Sequence, residues 1–177
     1  AGNTGDATQL TEIKDAVLPV VTINAVSIIN NTNVGSYTVT GTCSNGDGNV
    51  SYTVSSPSGG TDATGSVSCT GTTWTTGSIN LAAVNDNAAV EFDASQTDSN
   101  SNTGDATQLT EIKDVSLPTI SSVTTSATGT YTNGQTVLFT INFSESVTIA
   151  TGTQIDITSG GAGVVASCAA TTATSTN

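Results

Sequence analysis

"SYTVTGTCSNGDGNVSYTV" runs from Ser36 to Val54. Tyr37, Val39, Gly41 and Cys43 alternate with Ser and Thr in its first half. Val50, Tyr52 and Val54 alternate with Ser and Thr in its second half. A period of two sends one set of side chains to each face of a strand, so both halves read as strands with one apolar face. The link "SNGDGN" (44–49) holds Asn-Gly and Asp-Gly in succession. These dipeptides favour tight turns because their glycines accept positive φ at low cost. The link is therefore a strong hairpin signal between the two strands.

Further strands follow on both sides of this stretch. "VVTINAVSII" (20–29) precedes it. "GSVSC" (65–69) follows, with Gly65, Val67 and Cys69 in phase. "TWTTGSINL" (73–81) changes phase between Trp74 and Ile79, and Gly77 marks the expected bulge. "AAVEFDAS" (88–95) sets Val90, Phe92 and Ala94 against Glu91, Asp93 and Ser95. "DATQLTEIK" (105–113) is the seventh expected strand. Thr and Val suit strands, and Gly, Asn and Asp suit the turns between them. Seven short strands in about a hundred residues form an antiparallel β-sandwich.

The segment "NTGDATQLTEIKD" occurs at Asn3–Asp15 and again, letter for letter, at Asn102–Asp114. Each copy leads through a short link to a proline, "KDAVLP" (14–19) and "KDVSLP" (113–118). A repeat with one domain between its copies frames the chain. Residues 16–114 form one complete sandwich. Residues 1–15 are the closing strand of a preceding or neighbouring unit. Residues 115–177 are a partial unit lacking its last strands, with strands expected at 136–143, 146–149, 154–158 and 163–168.

The chain carries fourteen acidic and two basic side chains, both lysines, and no histidine, for a net charge of -12. With almost no cations to displace counterions from phosphate, it is not a nucleic-acid binder. It has no polybasic patch for an anionic membrane and no apolar run long enough to span one. No basic n-region opens the sequence, so the leader of an exported protein has been removed or lies outside these residues. Without histidine there is no Ser-His or Cys-His arrangement, and a zinc site is not expected. Lys14 and Lys113 read as surface charges beside Glu12 and Glu111.

There are three cysteines, Cys43, Cys69 and Cys168. Cys43 and Cys69 lie within one unit and either pair or remain as two buried thiols. Paired, they suit an oxidising compartment and contribute about 3 kcal/mol through loop closure. Cys168 has no partner in its own segment.

"VTINAV", "SYTVTGTC", "TGTTWTTGSINL" and "DSNSNTGDATQ" with the following "LP" together resemble bacterial Ig-like domains, the tandem modules of large surface adhesins and biofilm proteins. "GTYTNGQTVLFTINFSESVTIATGTQIDITSGG" (129–161) is similar to a second subtype of that family. The resemblance implies an all-β fold of tandem Ig-like antiparallel sandwiches, about seven strands per unit. It implies an extracellular or cell-surface location, no catalysis, and a spacer, filament or adhesive role. The implied partners are neighbouring Ig-like units or copies of the chain, with a host or cell-surface ligand if the module is adhesive. A strand-donating filament subunit is a further alternative. The resemblance does not supply the Cys43–Cys69 pairing.

No cofactor is required by this reading, and calcium is the one metal with candidate ligands. "DSNSNTGD" offers Asp98, Asn100, Asn102 and Asp105, all hard oxygen donors. In a sandwich the second-third and sixth-seventh loops share the pole where the chain arrives. Asp15 and Asp47 are then expected near that segment. Carboxylates gathered there repel one another unless a cation joins them, so the segment reads either as a plain hairpin turn, the reading preferred on its residues, or as a junctional Ca²⁺ site.

Overall fold

A computed structural model describes residue 2 and residues 14–126, 129, 134–149, 154–159 and 162–167. Most of the first repeat copy (3–13) and Cys168 lie outside the described residues, so the expected closing strand at 1–15 does as well. Contacts divide the chain into Ala1–Val115 and Ser116–Asn177.

In the first unit the strands are β1 (Ile29–Asn30), β2 (Thr40–Thr42), β3 (Val50–Ser55), β4 (Ala63–Val67), β5 (Thr73–Thr75), β6 (Asn87–Thr97), β7 (Thr103–Asp105) and β8 (Leu109–Asp114). The larger sheet has the order β1-β8-β6-β3-β4, with β7 also on β6, and β2 pairs with β5 in a smaller sheet. All pairs are antiparallel except β1 with β8, where Ile29 faces Lys113. Val39, Cys43 and Trp74 from the smaller sheet's side share one core with Val50, Val54, Val90, Phe92 and Ala94 of the larger sheet. The segment before β1 joins β2 instead, through Thr22 N–H to Thr42 C=O (3.0 Å) and Asn24 N–H to Thr40 C=O (2.8 Å). The opening strand thus serves the small sheet first and the large sheet afterwards. This strand order, with the second and fifth strands in one sheet and the third and sixth in the other, is that of an Ig-like sandwich.

The expected hairpin at 36–54 is not formed. β2 and β3 lie in different sheets, so 44–49 carries the chain from one sheet to the other rather than reversing it within one. The physical reason lies in Gln96, which holds the link from β6 and removes the need for a β2–β3 ladder. The seventh expected strand is also split, into β7 and β8, which makes eight strands among the described residues of this unit. The break at Gly77 is observed: its φ is +65°, and the pairing of Ile79 with Tyr37 resumes beyond it.

Trp74 is buried and faces Gly41 across the β2–β5 ladder. Its indole N–H donates to the Thr22 carbonyl at 2.9 Å. A Cβ at position 41 would lie 1.9 Å from that carbonyl oxygen and 2.5 Å from the indole nitrogen. Gly41 is therefore what lets a large ring lie flat over a narrow sheet and still satisfy its polar edge. Tyr37 does the same elsewhere: its hydroxyl accepts from Ser27 N–H (2.9 Å) and donates to the Ser27 carbonyl.

Cys43 and Cys69 are joined by a disulfide with a Cα separation of 6.0 Å. It ties the residue after β2 to the β4–β5 link, where the chain again changes sheets. With its ends 26 positions apart in sequence, the bridge should contribute about 3.5 kcal/mol by loop closure. Reduction should therefore lower the urea midpoint, followed by Trp74 fluorescence, without abolishing the folded state at low denaturant.

In the second unit β9 (Ile120–Thr125) pairs with β10 (Phe139–Phe143), and β11 (Gln154–Ser159) with β12 (Ala162–Ser167), all antiparallel. Ile141 faces Val123, and the register shifts at Asn142/Phe143. Residues 146–149 form no extended strand.

Candidate functional site

The turn between β6 and β7 is organised by Asp98. Its Oδ1 accepts from the backbone N–H groups of Asn100 and Asn102, each at 2.8 Å, and its Oδ2 accepts from the Asn102 side-chain amide at 2.8 Å. Ser101 takes a left-handed φ of +68°, at a cost of about 1–2 kcal/mol for a residue with a Cβ. The three bonds to Asp98 offset that cost. The Asn102 side-chain amide above all holds the Asp98 carboxyl below the usual range, against the opposing effect of desolvation, and the backbone N–H groups of Asn102 and Asn100 add to it.

Residues 14–20 run over this turn. Asn100 donates its side-chain amide to Asp15 Oδ2 at 2.8 Å, and Asn102 reaches the Asp15 carbonyl at 3.5 Å. Asp15 Oδ1 also accepts from Val17 N–H at 3.0 Å. Pro19 is buried, and its carbonyl lies so close to Gly104 that an added Cβ would sit 1.8 Å from the oxygen. Val20 N–H donates to Ser44 Oγ at 2.8 Å.

The 44–49 link reaches the same pole, with Gly48 N–H donating to the Thr97 carbonyl at 3.2 Å. It is held by Gln96, which is 1% exposed. Gln96 Oε1 accepts from Ser44 N–H (2.9 Å), and its amide donates to the Ser44 and Gly48 carbonyls (2.9 and 2.8 Å). Gln96 was not among the expected site residues. Its signal is the Val90, Phe92, Ala94 alternation, whose next inward position is a polar side chain.

Of the six expected calcium ligands, Asp15, Asp98, Asn100 and Asn102 meet, with asparagine amides between the two acids. Asp47 sits on the link tied by Gln96. Asp105 lies on β7 opposite Ser95 and lines a shallow groove of about 190 Å³ with Asp93 and Ser51. Among the described residues, no three His, Cys, Asp or Glu side chains form a group that could hold a metal ion.

Lys113 is not a surface charge. Its side chain is 2% exposed and its ammonium lies 2.6 Å from Asp86 Oδ1. Asp86 Oδ2 accepts from Val115 N–H at 3.2 Å, so one carboxylate fastens the outgoing end of the unit. Leu109, Glu111 and Lys113 share the inward parity of β8, while Ile112 points outward. The apolar Ile112 in the outward phase is what made Lys113 read as exposed.

Two measurements follow from these contacts. Asp86→Ala leaves the buried ammonium unpaired and should cost about 2 kcal/mol, below the roughly 3–5 of a fully buried pair because Asp86 keeps 34% of its surface in water. Lys113→Met should cost less, since it removes the charge and refills the space; urea denaturation of both variants checks the order. For Asp98 the folded pKa is lowered, so its stabilisation is complete above the unfolded value of about 3.9 and is lost as pH falls through the lower folded value. The Asn100 and Asn102 backbone amides should move together towards random-coil shifts on that titration, and Asn102→Ala should raise its midpoint.

No protein-family model matches the chain, and no curated protein does. Among solved structures, it is similar to a bacterial immunoglobulin-like domain from the M. primoryensis ice-binding adhesin, at 24% identity and a TM-score of 0.38, over 56% of this chain and the whole of that one. It is also similar to a tetra-tandem repeat in the extending region of a large adhesion protein, at 17% identity and a TM-score of 0.42. That match covers 87% of this chain and 38% of the other. The Ig-like fold of the first unit stands on its own strand order, and these similarities accompany it.

Proposed function

We propose that this chain is a non-catalytic, extracellular structural repeat, part of a stalk or filament of a bacterial surface protein. The observation that carries this is the placement of the repeated segment. Its second copy supplies β7 and β8, which close one sandwich, and the last residue of its first copy, Asp15, begins the linker docked on that same sandwich. The same thirteen residues therefore end one unit and lead into another, as a tandem array requires. The Cys43–Cys69 bridge supports an oxidising location, outside the cytoplasm. Among the described residues no helix is long and apolar enough to cross a membrane.

An adhesive module gripping glycan or protein would need an aromatic platform. In residues 16–114 the aromatic side chains are spent on structure instead: Tyr37, Trp74 and Phe92 are buried and Tyr52 is half-buried. A junctional Ca²⁺ remains part of the proposal, with Asp15 and Asp98 as its acids; Asn100 and Asn102, which donate their amide N–H groups to these carboxylates, would have to turn their oxygens to the ion. Calorimetry of the protein with calcium should then show heat and a raised melting temperature.

The mass of the native polypeptide tests the main reading. A denaturing gel should show one band far larger than the 17.5 kDa of these residues. A band near that mass would overturn the long array and favour a strand-donating subunit.

A further inference from the structure

The repeated segment supplies the start of the linker and part of the turn that receives it, with Asn100 standing two residues before its second copy. Asn102 and Gly104, which meet Asp15 and Pro19, are the first and third residues of the second copy. Asp15, which Asn100 grips, is the last residue of the first copy, and Pro19 follows four positions later. The second copy ends in the same way, with Asp114-Val-Ser-Leu-Pro118 against Asp15-Ala-Val-Leu-Pro19. Aspartate, leucine and proline keep their spacing, and only the two residues after the aspartate differ. Pro19 is buried on Gly104, whereas Pro118 is exposed; Leu18 and Leu117 are exposed alike.

We propose that Asp114–Pro118 is a docking ligand for a turn of the Asp98–Gly104 kind on another unit of this protein. The second copy then carries part of a receptor at its start and a ligand at its end. The recognition is chemical and local. An asparagine amide binds the aspartate carboxylate. A residue without a Cβ leaves room for the proline carbonyl. The two intervening side chains point away, since Ala16 and Val17 are exposed, and this is where the two ligands differ. The proposal rests on the tandem-array reading, but its test is made within one chain and can fail while that reading stands.

The test is nuclear Overhauser contact between Pro19 and Gly104 in the full chain. The double variant Ala16→Val/Val17→Ser converts the docked linker to the sequence of the second one and should keep the contact. Asp15→Ala and Asn100→Ala should weaken it, and Gly104→Val should abolish it. The Trp74 indole resonance, set by its bond to Thr22, reports whether the sandwich is intact in each variant. If Gly104→Val loses that resonance, Asp15→Ala and Asn100→Ala carry the test, because both alter exposed side chains. Loss of the contact in the double variant would overturn the proposal, as would its survival unchanged in both Asp15→Ala and Asn100→Ala.

Discussion

Three hydrogen bonds from the side-chain amide of Gln96 hold the corner where the chain leaves one sheet for the other. Backbone groups at such a corner lose their ladder partners and, once buried, must find others. A buried glutamine does this for two carbonyls and one N–H at once, with no part of its amide left unmatched. The consequences reach well beyond the corner. Ser44, held by Gln96, offers its hydroxyl to Val20 and so steers the incoming chain. Gly48, also held, reaches Thr97 at the base of the Asp98 turn. The pole that receives the linker is thus built outward from one amide on β6.

Much of the fold was legible because its strands alternate cleanly. β3, β6 and the inward face at 37–43 follow the pattern of their apolar residues. The break at Gly77 could be read from a change of phase. The partner of each strand was harder to read. Asn-Gly and Asp-Gly report that a chain turns, and they carry no information on whether it turns within a sheet or between sheets. Residues 44–49 look like a hairpin for that reason, while the deciding residue lies about fifty positions further on. The meeting of Asp15 with Asn100 and Asn102 was legible once a sandwich was assumed, because the topology sends those loops to one pole. The Lys113–Asp86 pair was not, because its strand places an isoleucine outward and a lysine inward.

The core is thin, and the molecule spends its few large side chains where each does two things. Trp74 fills the space between sheets and satisfies a carbonyl of the opening segment. Tyr37 packs on Phe92, with ring centroids 5.9 Å apart, and bonds to Ser27 through its hydroxyl. Small residues opposite them, Gly41 above all, are the counterpart of these rings. A unit built this way gains less from apolar burial than a larger domain would, so a covalent tie between sheets matters more to it.

β1 and β8 lie side by side and run in the same direction, one near each end of the unit. If the unit is pulled by its two ends, β1 is drawn back towards its beginning and β8 forward towards its end. Parallel neighbours pulled this way slide against each other, so the load falls on all of their bonds together rather than opening them one after another. The Lys113–Asp86 pair stands on that same strand, and the disulfide lies outside the loaded path. Under such a load the docked linker, held by a few exposed contacts, would lift away first. It would lengthen the chain slightly before the sandwich opened, a small reserve of reach held outside the fold.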